Sequence, residues 1–319
     1  MLLKWEKQVL QAAAIIGISA YPSAVIAYHN GLINFGKRNI DYNVPDEIVD
    51  MVESELDKLK NLLMKVNVNI SVTDSLNPEW RGGFYFRNGF ELLLPLRAVA
   101  KNLSDLPKMK QTFSIKTNDF FSSKKKFLDT ATDVGKHIFD DYFLSDAARR
   151  FLIRRELIRA NSLEDEIIEL KLIGHIFSRR FILIPVSMWI LLASVIALSF
   201  MSLMRFGRIV SYGSLAVSIP LAVLTFRNVV RSFLSYGEMK LDYDTCADFP
   251  EYVEGARQYL NSSIATNLRI RNEIGDLKSQ FIATNGDRVG DPWPYSKRLK
   301  AIEELVAEQY QKKNDVTKS

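Results

Sequence analysis

Between Phe181 and Phe226 the chain carries two uncharged runs joined by a short basic link, and this pattern restricts the fold more than any other. The first run, FILIPVSMWILLASVIALSFMSLM (Phe181 to Met204), has 24 residues; Arg205-Phe206-Gly207-Arg208 follows, and the second, IVSYGSLAVSIPLAVLTF (Ile209 to Phe226), has 18. A helix needs about 17 to 25 predominantly apolar residues to cross roughly 30 Å of hydrocarbon. Residues 181–226 therefore read as a transmembrane hairpin, bounded by Arg179-Arg180 and Arg227. A hairpin returns the chain to the side it left, so the polar sequence on either side of it lies on one face of the membrane and can form one domain. Core helices of soluble proteins seldom lack charge over such a length.

A third span is expected near the start. Gln8 to Gly36 carries no charge, and its apolar centre is Val9 to Tyr28. It has no clear small-x-small cleavage site near its end, which favours an uncleaved anchor (1–36) over a secretory signal. Lys4 and Lys7 precede it, and Arg205 and Arg208 fill the hairpin turn. The positive-inside rule places both segments on one side, cytoplasm or matrix, and three spans then put residues 37–180 and 227–319 together on the other.

The remaining sequence can fold in water, because 47% hydrophobic and 25% charged residues are ordinary for a globular chain. A net charge of +5 implies mild attraction to an anionic lipid bilayer, but no basic cluster is interleaved with aromatics as nucleic-acid binding requires. Lys124-Lys125-Lys126 reads as a solvated loop. The single cysteine, Cys246, excludes an internal disulfide framework and a cysteine-based zinc site.

The aqueous domain opens with a helix: Pro45-Asp46-Glu47 gives an acidic first turn, and Ile48, Val49, Val52, Leu56, Leu59, Leu62 and Leu63 recur at helical spacing. Val66, Val68, Ile70 and Val72 alternate with Asn67, Asn69 and Ser71, the period of a half-buried strand. FYF and FELLLPL flank Arg87-Asn88-Gly89, and Asn-Gly between apolar runs predicts a hairpin. A further strand is expected at Thr112 to Lys116, and a helix around His137. Leu144-Ser145-Asp146 has the form of a helix start with Ser145 as N-cap, and that helix is expected to run to about Leu170.

Within this helix, Arg155-Glu156-Leu157-Ile158-Arg159 has the spacing of an HExxH zinc helix with arginine at both histidine positions. In a working site the two histidines share a helix face and bind zinc while the glutamate activates water; arginine cannot ligate. A charged helix face can equally be solvated, but two later segments fit the same order. Glu238 and Asp242 form an E-x-x-x-D directly after the hairpin, and Asp291-Pro292-Trp293-Pro294-Tyr295-Ser296-Lys297-Arg298-Leu299 parallels an H-P-x-x-x-x-R-(aliphatic) segment.

That order resembles the HExxH integral-membrane peptidases, which include the prenyl-protein CaaX peptidase, the bacterial heat-shock membrane peptidase and the mitochondrial inner-membrane stress peptidase. The likeness covers about Val66 to Val306. It implies an α+β membrane protein with three transmembrane helices and a zincin-like, inactive aqueous domain split by the hairpin. A second likeness covers nearly the whole chain. The anchor, ARRFLIRRELIRANS, the hairpin, SYGEMKLDYDTCADFPEYVEGARQYL and FIATNGDRVGDPWPYSKRLKAI together resemble the transmembrane protein 177 family. This resemblance implies a multi-pass protein of the mitochondrial inner membrane, with its N-terminus and hairpin turn in the matrix and its main domain in the intermembrane space. It also implies two partners, newly made cytochrome c oxidase subunit 2 and the assembly chaperone of that subunit. Composition and spacing give no oxidase connection.

Two function classes follow: a non-enzymatic assembly scaffold without cofactor, and an active zinc-dependent membrane metallopeptidase. A catalytic zinc needs three protein ligands, yet no two of His29, His137 and His175 are four residues apart and only Glu238 offers a ligand. No Ser or Cys has a nucleophile-elbow context. The degenerate site is instead expected to be an ion-pair clasp in which Arg155 or Arg159, beside Glu156, pairs with Glu238 or Asp242, with Asp291, Pro292 and Arg298 as a separate motif. On that reading, exchanging the charges of Arg155 and Glu238 should give better partner recovery than either single reversal.

Overall fold

The computed structural model describes residues 4–29, 39–59, 66–73, 75–84, 88–102, 105, 112–116, 125–129, 137–161, 180–203, 207–274, 281–289, 291 and 293–316. In chain order the elements are α1 (Lys4–His29), β1 (Asn39–Ile40), α2 (Asp46–Asp57), β2 (Val68–Thr73), β3 (Glu79–Gly82), β4 (Phe90–Pro95), the short α3 (Leu96–Val99), β5 (Thr112–Lys116), β6 (Lys125–Asp129), α4 (Asp146–Asn161), α5 (Arg180–Leu203), α6 (Arg208–Asp248), α7 (Tyr252–Ile274) and α8 (Tyr295–Val316). The protein is mixed α/β, mostly helical with a small sheet.

The chain divides into two compact units. One comprises Met1–Gly36, Arg81–Gly89 and Ser162–Leu234 and contains α1, α5 and the first part of α6. Within α1, Gln11–Tyr28 is long and apolar enough to cross a membrane, with a mean hydropathy of 1.3. The three helices present large apolar side chains outwards: Ile15 and Ile16 on α1, Leu191 and Val195 on α5, and Val217 and Leu221 on α6 are all more than half exposed. At one end Tyr21, Trp189 and Phe226 pack edge to face or tilted, with centroids 5.2 to 5.6 Å apart.

The second unit comprises Lys37–Trp80, Phe90–Asn161 and Ser235–Ser319. Its four-stranded sheet has the order β1-β2-β4-β3. β2 and β4 are parallel, with Ile70 opposite Leu92 and Val72 opposite Leu94. β4 is an inner strand and reads FELLLP, with five of six residues buried, as expected when both faces of a strand are covered. α7 packs against both α4 and α8, and α2 packs on α4. Ile48, Phe90, Leu93, Phe151, Leu152, Tyr259 and Leu260 form much of the core. α4 and α7 approach closely at Gly255, where an added Cβ would lie 2.3 Å from the Ala147 carbonyl oxygen. Only glycine lets the two backbones meet there.

Several expectations are corrected in detail. α2 stops at Asp57 and buries Ile48, Met51, Val52 and Glu55. Leu62 and Leu63 lie outside the described residues. The strand expected at FYF does not include Phe84, which lies in a turn, while Tyr85 and Phe86 lie outside the described residues. The strand before the Asn-Gly signal is β3, which ends at Gly82, and Gly89, at φ +73°, accepts the Gly83 N–H at its carbonyl at 2.9 Å. Lys125 and Lys126 belong to β6, paired with β5 and not in a solvated loop, because Ile115 and Lys116 supply an antiparallel neighbour. The helix expected around His137 is a single 3-10 turn, Ile138–Asp141, followed by the start of α4. His137 itself is exposed. His175 and the stretch from Ser162 to Leu170 lie outside the described residues.

Candidate functional site

Five arginines within α4 would ordinarily mark a solvated helix, yet eleven of its sixteen residues are buried. The helix starts as its sequence dictates: the Ser145 hydroxyl accepts the Ala148 N–H at 3.2 Å, and buried Leu144 precedes it. It then runs between α2 and α7; Asp146 and Arg150 stay exposed, but Arg149, Arg154, Arg155, Glu156 and Arg159 are buried and must find partners inside.

Arg149 and Arg154 donate to the backbone carbonyls of Ala100 and Glu55, at 2.9 Å each, and the other three meet in one network. Arg155 donates from Nε to Asp242 Oδ1 at 2.5 Å, from Nη1 to Glu156 Oε1 at 2.5 Å, and from Nη2 to Glu238 Oε2. Arg159 donates from Nε to Glu156 Oε2 at 2.7 Å and grips both oxygens of Glu238, at 2.5 and 2.8 Å. The third cation comes from α8: Arg298 donates from Nε to Asp242 Oδ2 at 2.5 Å and from Nη2 to Oδ1 at 2.9 Å. Three guanidinium groups thus meet three carboxylates from α4, α6 and α8, and the formal charges cancel. Five of the six residues are at most 6% exposed. The Glu238 side chain is 31% exposed and forms the edge of the cluster that meets solvent.

The electrostatics follow from that packing. Burial pushes the Glu238 carboxyl up, but Arg159 and Arg155 outweigh burial and hold it well below the usual carboxylate range. Burial acts in the same sense on Asp242, and Arg298 and Arg155 likewise bring it below its ordinary value. Burial opposes the charge on Arg155, yet Asp242, Glu238 and Glu156 more than offset it. Aromatic faces line the outside of the network: Trp80 lies 5.7 Å from Arg159, and Tyr259 and Tyr295 lie 5.7 and 5.6 Å from Arg298.

No family model matches the chain. Comparison with curated proteins and with solved structures likewise returns no match.

The sequence singled out Arg155, Glu156, Arg159, Glu238 and Asp242, and the structure brings all five together. It adds Arg298, which sequence reasoning placed in a separate motif. Asp291 does not join: its Oδ1 accepts the Trp293 N–H at 3.1 Å, and burial raises its carboxyl pKa. Pro292 lies outside the described residues. Sequence reasoning also missed Glu55, a fully buried carboxylate on α2 that accepts from the Tyr252 hydroxyl and from Lys58 at 2.9 Å. Four-residue apolar spacing around Met51 was the one available signal that position 55 faces inwards.

Chemically, every oxygen of Glu156, Glu238 and Asp242 already accepts from a guanidinium. A carboxylate held charged in this way is a poor general base, since proton uptake would break its ion pairs. Among the described residues no group of three or more His, Cys, Asp or Glu side chains is placed to hold a metal. Cys246, fully buried one turn beyond Asp242, has its thiol pushed up to about 12 by burial and is no nucleophile at neutral pH. The arrangement is suited to clamping three helices together.

Proposed function

We propose that this chain is a non-enzymatic membrane scaffold of the transmembrane protein 177 type, built on an inactive peptidase-like domain. On this reading it acts in the mitochondrial inner membrane, where it supports biogenesis of cytochrome c oxidase subunit 2 together with the assembly chaperone of that subunit. The observation that carries the proposal is the arginine–carboxylate network. On the likeness to the zinc peptidases, the places of two zinc-binding histidines and the third ligand are taken by Arg155, Arg159 and Glu238, and both arginines donate to Glu238. The site's carboxylates are committed to arginine, and its chemistry is that of a structural clamp. The apolar length of α1 and the outward apolar faces of α5 and α6 support three spans, α1 and a hairpin over 181–226, with residues 37–180 and 227–319 on the intermembrane-space side.

Affinity purification of the tagged chain from solubilised mitochondria, followed by protein identification, tests the reading. Oxidase subunit 2 and its assembly chaperone are expected in the eluate, and their consistent absence would remove the oxidase assignment. Metal analysis of the purified chain addresses the competing class: zinc at one equivalent would replace the scaffold by a metallopeptidase.

A further inference from the structure

Between α1, α5 and the first part of α6 lies a cavity of about 290 Å³, wholly inside the unit that carries the apolar helices. Its walls mix small residues, Gly17, Ala193, Ala197 and Ala222 among them, with larger apolar side chains such as Leu192, and Trp189 and Phe200 stand towards its two ends. No lining side chain is charged. The only side-chain polar group is the Trp189 indole N–H, which donates to the Gly17 carbonyl at 3.0 Å. Ile219 at the rim is 43% exposed, so the cavity reaches the outer surface of the helices.

Shape and chemistry decide the occupant. Trp189 and Phe200 are eleven residues apart on α5, which is about 16 Å along the helix. A guest helix of that length and about 10 Å diameter would fill roughly 1,200 Å³, more than the about 860 Å³ of empty space here even with the open mouth counted, so a partner's helix does not fit inside. A dry apolar cavity of about 150 Å³ accommodates benzene, and this one is about twice as large and drawn out in one direction. A free fatty acid would find no cation or hydrogen-bond donor here for its carboxylate. The surrounding faces, with Ile15, Leu191 and Val217 each more than 60% exposed, call for hydrocarbon as their solvent.

We propose that this cavity holds one acyl chain of a membrane phospholipid, which enters past Ile219 and lies along α5 while its headgroup stays at the membrane surface. The proposal rests on the membrane reading of α1, α5 and α6. A bound chain would complete the packing of three helices that otherwise leave a void beside Gly17. Position 17 has open space around an added Cβ, so it can be filled without moving backbone.

The test uses the full chain reconstituted in bilayers and then examined by native mass spectrometry in mild detergent. Carbonate extraction comes first and tests the membrane reading by itself: recovery of the chain in the supernatant removes that reading and this one with it. For membrane-retained chain, the wild type is expected to keep one phospholipid per chain. Gly17→Leu and Ala193→Leu, which fill the cavity, should lower that occupancy at least tenfold, whereas Leu191→Ala on the outer face should leave it unchanged. Equal occupancy in all four proteins, or none in the wild type, would overturn the acyl-chain site and leave the spans standing. A photoreactive residue at Ile219 should yield a lipid adduct; an adduct with protein alone would assign the surface to a partner and overturn the proposal. Quenching of tryptophan emission by phospholipid brominated on its chains, stronger in wild type than in Ala193→Leu, gives a readout that does not depend on detergent.

Discussion

Asp242→Asn should be the most damaging conservative change in the polar network. The substitution keeps the side-chain volume and removes one charge from a residue that is 2% exposed. Asp242 receives Arg155 at 2.5 Å and Arg298 at 2.5 and 2.9 Å, and among the described residues it is the carboxylate that Arg298 pairs with. Arg155 keeps Glu156 and Glu238, so the damage concentrates on Arg298. A buried ion left without its partner destabilises by about 3 to 5 kcal/mol. Glu238→Gln is the internal comparison, because its side chain is 31% exposed and water can take over part of the role, which puts its loss at about 1 to 2 kcal/mol. For a unit of about 200 residues, 1 kcal/mol moves the melting temperature by about 2 to 4 °C. Asp242→Asn should then lower it by about 12 °C and Glu238→Gln by about 4 °C. Thermal unfolding of the detergent-solubilised chain, followed by tryptophan emission, measures both. Equal shifts, or a larger one for Glu238→Gln, would refute the argument that burial sets the size of the loss.

The acid limb of stability follows from the same carboxylates. Their native pKa values lie below the ordinary 4.5 and 3.8, so they stabilise fully above about pH 5 and lose that contribution as the pH falls through the native values; the decline seen in melting temperature should be shallower in Asp242→Asn. Gly255→Ala should destabilise by about 2 to 3 kcal/mol in the same thermal assay, since its Cβ meets backbone at Ala147 and not a movable side chain. Cys246 should resist maleimide at pH 7 in the native chain and react promptly in denaturant, as mass spectrometry of the adduct would report. The exchange of charge between Arg155 and Glu238 should fail to rescue partner recovery at matched protein levels, because a carboxylate at position 155 would face Glu156 and Asp242; recovery above both single changes would mean that the pair acts alone.

This last point marks where the sequence stops being legible. Spacing on one helix located Arg155, Glu156 and Arg159, and a second short motif located Glu238 and Asp242, so a clasp between two helices could be read off. A pair was expected and a six-membered network is present, because Arg298 reaches Asp242 from an element with no local relation to the other two. The Ser145 cap and the alternation through β2 were visible, being set by neighbours a few residues away. The parallel pairing of β2 with β4 was not. Parallel strands need a connection of a dozen or more residues, and the sixteen residues between Thr73 and Phe90 provide it by threading β3 along the far side of β4. The burial of α4 was hidden for another reason: its arginines suppress any amphipathic pattern, and only their partners on distant elements reveal that most of its surface is enclosed.

The balance of three cations and three anions also has a timetable. α4 leaves the ribosome with Arg155, Glu156 and Arg159, which carry an excess of one positive charge. Glu238 and Asp242 arrive with α6 and turn the excess negative, and neutrality is reached only when Arg298 emerges on α8. Until then, closing the helices over the network would bury an uncompensated ion, so the nascent chain gains little from early collapse at this point. Quality control therefore has a natural checkpoint: a product interrupted between Asp242 and Arg298 carries most of the apolar core and nearly all of the network, but it lacks the one side chain that lets the network close, and it should be degraded faster than its length suggests.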